Sequence, residues 1–413
     1  MKKSFILGLT FVMASCVCNK PVEESPQEFD YQPDFLTLRV DASRLERVDN
    51  LLQEYIDKGI IPHALTFVAK DGQVIHHKAF GWRDVEQQIP LQEDDIFRMY
   101  SQTKAVTTVA LMTLFEQGKF QLDDPVSKYI PEMTDQVRVE GSDTETRKAA
   151  SPVLIRHLLS HTSGITGIRN PSGTPPAEFE TLEAYVKELV KAPLIYDPGT
   201  GWNYHPSSDV WAYLVEYFSG KTLQEYVREL ILDPLGIKDM AYYYSPEYKE
   251  RFVTIYSEVD GKIAPKEMWS GRYPFGDDRR YAAGGTGLNG TIEGYARFCQ
   301  MILNGGSFNG HRILGRRTLD VMAKDQVAHP GSQDADFHFG LGYQIYPGEK
   351  TSWDVLSGFS PMVSAGALSW GGMANTDYIV DPKENMIILL YTNRVPDTRV
   401  WEKFLNTVYQ ALY

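Results

Sequence analysis

Ser101 and Lys104 are the residues whose types and spacing point most directly to chemistry. Among all the serines of the chain, Ser101 is the only one that has a lysine three positions further on. Residues three apart share one face of a helix, so the amine and the hydroxyl can lie side by side. An amine that takes the hydroxyl proton would turn Ser101 into a nucleophile.

The residues that follow this pair predict a buried helix. Residues 105–115 are apolar on nearly every side of a helical projection. Lys104 would stand in the first turn, at the positive end of the helix dipole, and burial would remove its hydration. Both effects favour the neutral amine, which is the form that accepts a proton. The alternative is a lysine whose side chain reaches solvent and has no chemical role.

Other common catalytic patterns do not occur in the sequence. There is no Gly-x-Ser-x-Gly elbow, no Gly-x-x-x-x-Gly-Lys loop and no His-Glu-x-x-His motif. His157 and His161 are four residues apart, but the glutamate of a zinc site is missing. The sequence therefore predicts neither a metal ion nor another cofactor.

The elements that must position Ser101 and Lys104 are strands at both ends of the chain and helices between them. A helix is predicted over residues 44–58, then a hairpin of strands 64–69 and 73–80 around Asp71-Gly72. The remaining predicted helices cover residues 104–117, 152–159, 182–191, 208–218, 223–232, 292–303, 317–323 and 400–412. The later predicted strands cover residues 341–346, 366–369, 377–380 and 386–392.

Strands from both ends can share one sheet only if the helical middle is an insertion. We therefore expect an α/β (α+β) fold, in which an antiparallel sheet flanked by helices is built from both chain ends. An all-helical lobe, at about residues 105–335, would be inserted into it. A ligand cleft would lie where the two lobes meet.

The first residues have the pattern of an export signal. Lys2 and Lys3 precede an apolar stretch of residues 4–15, which is too short to span a bilayer. The stretch ends at Met13-Ala14-Ser15-Cys16, which resembles a bacterial lipobox. We predict a signal peptide over residues 1–15, lipidation of Cys16, a tether over 16–42 and a catalytic domain over 43–413. The alternative is an ordinary signal peptide without a lipid. Either reading places the protein outside the cytoplasm, and the lipidated form in the periplasm or at the outer membrane.

Charge and cysteine content exclude several classes of partner. The chain has 41 basic and 54 acidic residues, a net charge of −13, which becomes −15 once Lys2 and Lys3 are removed. This balance argues against nucleic acid and anionic membrane surfaces as partners. With Cys16 lipidated and Cys18 in the tether, only Cys299 remains, as a buried thiol. We expect a small-molecule substrate and membrane contact only through the anchor, and the sequence leaves the oligomeric state open.

A set of short motifs resembles the serine β-lactamase and penicillin-binding-protein-like superfamily. The resemblance is greatest to the class C-related branch and its family VIII carboxylesterases, and it covers roughly residues 43–413. The two longest motifs, Phe97-Arg98-Met99-Tyr100-Ser101-Gln102-Thr103-Lys104 and His157-Leu158-Leu159-Ser160-His161-Thr162-Ser163-Gly164, carry most of it. Further matches in family order include Leu122-Asp123-Asp124-Pro125-Val126, Pro234-Leu235-Gly236, Gly284-Gly285-Thr286-Gly287-Leu288 and Trp370-Gly371-Gly372.

The resemblance implies two further site elements, and both depart from the penicillin-recognising pattern. The family's second motif is Tyr-x-Asn or Tyr-x-Ser, and here Tyr204 is followed by His205 and Pro206. His205 or Ser207 could replace the missing third residue. Trp370, Gly371 and Gly372 stand where relatives carry Lys-Thr-Gly, so an apolar wall replaces a substrate-binding cation.

The function that this resemblance implies is an exported serine hydrolase that cleaves carboxylic esters through an acyl-enzyme on Ser101. Lys104 and Tyr204 would transfer the protons, with either as the base. Backbone N–H groups of Ser101 and Met373 would form the oxyanion hole. Trp370, Gly371, Gly372 and His205 would contact the substrate. The alternatives are a class C-like β-lactamase or D-amino-acid peptidase, a non-turnover penicillin-binding or sensor protein, and a pseudoenzyme.

Overall fold

The computed structural model describes residues 28–142, 144–166, 171–204, 207–266, 275, 281–327, 337–348 and 360–413. The predictions for Cys16 and His205 fall outside these ranges. Within them, no helix has both the length and the apolar character that crossing a bilayer requires.

One seven-stranded antiparallel sheet joins the two ends of the chain, as expected. Its order is β12-β13-β14-β15-β1-β2-β3, so a strand from the last thirty residues, β15, pairs directly with β1. These strands are β1 (His63–Lys70), β2 (Gln73–Asp84), β3 (Ile89–Pro90), β12 (Gln344–Ile345), β13 (Leu368–Gly372), β14 (Thr376–Asp381) and β15 (Met386–Tyr391). The β1–β2 hairpin turns at Asp71 and Gly72, both with positive φ, as a two-residue hairpin turn requires.

Helices cover both faces of the sheet. On one face lie α1 (Ala42–Asp57) and the last helix, α9 (Val400–Tyr409), which pack on each other. Their apolar side chains form a core with the strand residues whose side chains point to this face of the sheet, such as Val68 and Ile388. The other face receives α7 (Ile292–Leu303), whose buried side chains meet Phe67, Tyr378 and Leu389 in the larger core.

A helical lobe extends from this second face. It contains α2 (Thr103–Glu116), α3 (Ile155–Leu159), α4 (Leu182–Leu189), α5 (Ser207–Ser219) and α6 (Leu223–Val227), which is continued by a π-helical turn, Arg228–Leu232. Helix α5 lies at its centre and packs against the other four. Farther along the chain, α8 (Arg316–Met322) follows α7.

The inserted segment differs in two respects from the expected all-helical lobe of residues 105–335. First, α7 belongs to the sheet, because it packs on β1, β14 and β15. Second, short strand pairs interrupt the helices, each too brief to leave a clear alternating pattern in the sequence. They are β4 (Phe97–Arg98) with β9 (Asn289–Gly290), β5 (Gln136–Arg138) with β6 (Thr146–Lys148), β7 (Tyr256–Val259) with β8 (Lys262–Pro265), β10 (Ser307–Phe308) with β11 (His311–Arg312), and β16 (Arg394–Val395) beside β7.

Residues 28–41 do not form the solvated tether that was expected up to residue 42. Phe29 is buried against the rings of Phe67 and Phe308, at 4.9 and 5.2 Å between centroids. Leu38 and Val40 are also buried, beside α1 and α9. Few apolar side chains stand among the prolines and acids of this stretch, which is why its sequence predicts a linker, but those at Phe29, Leu38 and Val40 are buried in the cores.

Candidate active site

Ser101 lies at the junction of a short 3₁₀ turn, Tyr100–Gln102, and the first residue of α2. The preceding residues are held by the β4–β9 pair and by a hydrogen bond from the Met99 N–H to the Leu288 carbonyl at 3.3 Å. Twelve successive residues of α2, from Thr103 to Leu114, are buried. The serine is thus presented at the end of a fixed, buried helix, as the sequence predicted.

The residue before the nucleophile candidate has a strained backbone. Tyr100 has φ of +45°, a conformation that costs a bulky residue free energy and persists only where its surroundings impose it. Its ring is buried against Ile255 and Ala374, which holds the turn in place. Burial raises the pKa of the Tyr100 phenol, so this neighbour of Ser101 stays neutral.

Lys104 is buried beside Ser101 rather than extended to solvent. Only 6% of its surface is exposed. Its Nζ donates to Ser101 Oγ at 3.1 Å and to the Gly285 carbonyl at 2.9 Å. The snorkelling alternative is therefore wrong, and the amine lies within proton-transfer distance of the hydroxyl.

Tyr204 lies against the same amine. Lys104 Nζ is 4.6 Å from the centre of the Tyr204 ring. The indole N–H of Trp370 donates to the phenol oxygen of Tyr204 at 3.0 Å. The motif residues Ser101, Lys104, Tyr204 and Trp370, separated by up to 269 positions in the sequence, are thus linked in one row of contacts.

An apolar wall flanks this row. His161 is buried against the Tyr204 ring, at 4.8 Å between centroids. Phe339 meets Trp370 edge-on at 5.3 Å. Trp202 and Phe337 complete the cluster with stacked and tilted contacts. The side of the site built around Trp370 is therefore aromatic, as its replacement of a lysine predicted.

The glycines of β13 allow the strand to lie against the nucleophile turn. A Cβ on Gly372 would stand 2.3 Å from the Met99 carbonyl oxygen and 2.1 Å from Thr376 Oγ1. The Thr376 hydroxyl itself donates to the Met99 carbonyl at 3.3 Å. Only a residue without a side chain permits this approach. Met373, the residue after the strand, is 53% exposed.

Three further residues, Tyr391, Cys299 and Ser207, are not among the contacts of this row. Tyr391 ends β15, within the predicted strand 386–392, and donates to Gln102 Oε1 at 2.7 Å. Burial raises its pKa well above the usual value, so it remains a neutral structural phenol. Cys299 is a fully buried thiol on α7, which agrees with its structural interpretation. Ser207 Oγ lies 3.1 Å from Ser163 Oγ in a buried pair.

A comparison with family sequence profiles decides the membership of the chain. The profile of the family described as Beta-lactamase matches residues 48–404, which is most of the chain. The chain belongs to the Beta-lactamase family. This confirms the resemblance derived from the Ser101, Tyr204 and Trp370 motifs, and it confirms the expected fold and the enzyme class, a serine hydrolase.

Proteins named as esterases are among the relatives of this Beta-lactamase family chain. Esterase EstB of Burkholderia gladioli is 28% identical, over 85% of this chain and 91% of that protein. Lovastatin esterase of Penicillium rubens is also 28% identical, over 82% of this chain and 90% of that protein. Simvastatin synthase (LovD) of Aspergillus terreus has the same fold, with a TM-score of 0.74, 24% identity, and coverage of 89% of this chain and 98% of that one.

Sequence reasoning missed the contacts made by backbone atoms and by buried polar groups. The sequence places Gly284 and Gly285 in a motif, but no sequence pattern predicts that the Gly285 carbonyl accepts a hydrogen bond from Lys104. His161 was likewise part of a motif without an assigned role. Repeated glycines beside a lysine-based site are a signal of close backbone approach, and this signal could have identified Gly285.

Proposed function

We propose that this Beta-lactamase family member hydrolyses uncharged carboxylic esters through an acyl-enzyme on Ser101. The hydrogen bond between Lys104 Nζ and Ser101 Oγ supports the nucleophile. The observation that carries the ester preference is Trp370, which lines the site with an aromatic ring where penicillin-recognising relatives have a cation.

The reaction would begin with attack of Ser101 Oγ on the ester carbonyl. The hydroxyl proton passes to neutral Lys104 or to the Tyr204 phenolate as the Oγ–carbon bond forms. The negative charge that develops on the carbonyl oxygen is stabilised by the N–H groups of Ser101 and Met373. The bond to the leaving alkoxide then breaks, and Tyr204 returns a proton to it.

Water completes the cycle. It attacks the acyl carbonyl while the Lys104–Tyr204 pair takes its proton, the Oγ–carbon bond then breaks, and the pair returns that proton to Ser101 Oγ. The indole N–H of Trp370 occupies one lone pair of the Tyr204 oxygen. The phenol proton is therefore free to point to another acceptor, which is what a proton donor to the leaving group needs.

The aromatic side chains around Trp370 favour binding of apolar esters over anionic β-lactams and peptides. A charge-assisted contact to a substrate carboxylate is worth about 1.5–3 kcal/mol, and no residue of the described wall supplies one. This free energy corresponds to about 10- to 150-fold in kcat/KM.

A substrate panel tests this proposal. We would measure kcat/KM for p-nitrophenyl esters of increasing chain length, for nitrocefin and for a D-Ala-D-Ala peptide, with Ser101→Ala as the background. We expect ester turnover to exceed the other two by at least about tenfold. Turnover of nitrocefin or the peptide above that of every ester would overturn the ester assignment. A persistent acyl adduct on Ser101 without turnover would instead indicate a sensor. The absence of any adduct on Ser101 would indicate a pseudoenzyme.

We also propose that the protein is exported and lipidated on Cys16. The support is the sequence of residues 1–16, with two lysines, an apolar stretch and small residues before the cysteine. Membrane fractionation with metabolic labelling by a fatty acid tests it. Wild-type protein should carry label in the membrane fraction, and Cys16→Ala should carry none. Equal labelling of the two proteins would contradict the lipoprotein assignment.

A further inference from the structure

The segment that holds Lys104 is a short run of backbone between two helices. Gly284 and Gly285 contact both α2 and α5 in space. The Gly285 carbonyl accepts a hydrogen bond from Lys104 Nζ at 2.9 Å. This carbonyl and Ser101 Oγ are the two hydrogen-bond partners of Nζ among the described residues, beside its contact with the Tyr204 ring. The direction of the carbonyl therefore determines where Nζ stands relative to the nucleophile.

The fit of this segment against α5 is tight. A Cβ on Gly284 would lie 2.2 Å from Ala212 Cβ, and one on Gly285 would lie 2.2 Å from Ser208 Oγ. The Gly285 Cβ would also lie 3.3 Å from Lys104 Nζ. A side chain at either position would collide with α5, so both positions require glycine. A small movement of this segment would shift Lys104 Nζ as well.

Two side chains hold the two successive peptide units that precede the Gly285 carbonyl, Ala283–Gly284 and Gly284–Gly285. The carboxylate of Asp209, in the first turn of α5, accepts the Gly284 N–H at 2.9 Å. On the opposite side, Thr107 Oγ1 of α2 donates to the Gly284 carbonyl at 2.8 Å. Hydrogen bonds to a carboxylate acceptor are about twice as strong as neutral ones, so the bond from the Gly284 N–H to Asp209 is the stronger of these two anchors.

We propose that Asp209 is a positioning residue for the reaction. By holding the Gly284 N–H it sets the orientation of the Gly285 carbonyl, and this carbonyl sets the position of Lys104 Nζ beside Ser101. The inference rests on the proposed function of Ser101 and Lys104. It assigns a role to a carboxylate that does not touch the reacting atoms.

The test compares variants of Asp209 with a matched carboxylate on the same helix. Asp209→Ala removes the acceptor, whereas Asp209→Asn keeps an oxygen that can accept the Gly284 N–H. Glu216 is the control, because it also lies on α5 and accepts a backbone N–H, that of Leu223 at 2.9 Å, away from the site. We would measure kcat and KM with a p-nitrophenyl ester, the rate of Ser101 labelling by a fluorophosphonate, and Tm.

We expect Asp209→Ala to lower kcat and the labelling rate about 100-fold, with KM within about twofold of wild type, because a displacement of about 1 Å in a reacting group has this effect. Asp209→Asn should recover both rates to within about fivefold of wild type. Glu216→Ala should lower Tm and leave kcat unchanged. If Asp209→Ala folds and retains wild-type kcat, or if Asp209→Asn is as impaired as Asp209→Ala, the proposal is wrong.

A second variant covers the case in which Asp209→Ala does not fold. Thr107→Val removes the anchor of the next peptide unit, at the Gly284 carbonyl, and should lower kcat about tenfold with little change in KM. Wild-type kcat in folded Thr107→Val would then overturn the proposal. Failure of the proposed function would look different, because Ser101→Ala would retain the ester turnover of the wild-type protein.

Discussion

The indole N–H of Trp370 donates to the phenol oxygen of Tyr204 at 3.0 Å. Trp370 comes from β13 of the sheet, and Tyr204 lies just before α5 of the helical lobe, so this bond joins the sheet to the helical lobe. A tryptophan therefore supplies both an apolar wall and a neutral hydrogen-bond donor to the proposed proton-transfer residue.

Removal of this donor should slow the reaction without unfolding the protein. Trp370→Phe keeps the ring contacts but loses the N–H, and a neutral hydrogen bond is worth about 1 kcal/mol. We expect kcat for a p-nitrophenyl ester to fall about fivefold. Trp211→Phe is the control, because Trp211 Nε1 is buried without a hydrogen bond to any described residue. Equal kcat values for Trp370→Phe and wild type would remove the role assigned to this bond.

A side chain at Gly372 should disrupt the site. In Gly372→Ala the new Cβ would stand 2.3 Å from the Met99 carbonyl, so β13 must move away from the Ser101 turn. Because catalysis depends on position to within about 1 Å, we expect kcat/KM for ester hydrolysis to fall about 100-fold.

Gly315→Ala is the matched control for that change. Its Cβ would approach only the end of the Glu116 side chain, at 3.1 Å, far from the site in the sequence and in the fold. Its kcat/KM should be that of wild type. Unchanged ester hydrolysis by Gly372→Ala would show that the close approach of β13 is dispensable.

Two buried histidines predict that stability falls at acid pH. Burial lowers the pKa of His63 to about 4, and burial with the nearby Arg156 charge lowers that of His157 to about 4. His63 Nδ1–H donates to the Trp82 carbonyl at 2.8 Å, and Nε2 has no partner among the described residues. Both imidazoles are therefore neutral in the folded protein.

The sign follows from proton binding. Between pH 6.5 and 4 the unfolded chain binds protons at these histidines and the folded chain does not, so the free energy of unfolding falls as the pH falls. From pH 7.5 to 5.0, His63 alone should contribute a loss of about 2 kcal/mol. Urea unfolding at the two pH values measures this loss, which His63→Gln should reduce. An equal pH dependence in wild type and His63→Gln would exclude His63 as its source.

Periodic sequence patterns predicted the long elements of the fold well. The predicted helix at 292–303 coincides with α7, and the Asp71-Gly72 turn joins the predicted hairpin strands. These elements bury a regular stripe, so their pattern is strong. The short pairs such as β5–β6 were missed, because three residues are too few to show alternation.

The candidate site could be predicted only where it depends on side-chain types in sequence motifs. Ser101 and Lys104 are one helical turn apart, so their contact follows from local geometry. The bond between Trp370 and Tyr204 depends on how the sheet and the helical lobe meet, which no local pattern specifies. The packing of Phe29 against Phe67 and Phe308 was not predicted either, because one aromatic residue among prolines and acids gives no periodic pattern.

The most direct test of the central claim is the covalent state of Ser101 during turnover. Rapid mixing of enzyme with excess p-nitrophenyl ester, followed by acid quenching and intact and peptide mass spectrometry, would locate the acyl group. We predict one acyl equivalent on the peptide that contains Ser101, formed at a rate no slower than turnover, and no adduct in Ser101→Ala, whose hydrolysis rate should be at least about 1,000-fold lower. Full ester hydrolysis by Ser101→Ala, or an acyl group on a different residue, would contradict the account.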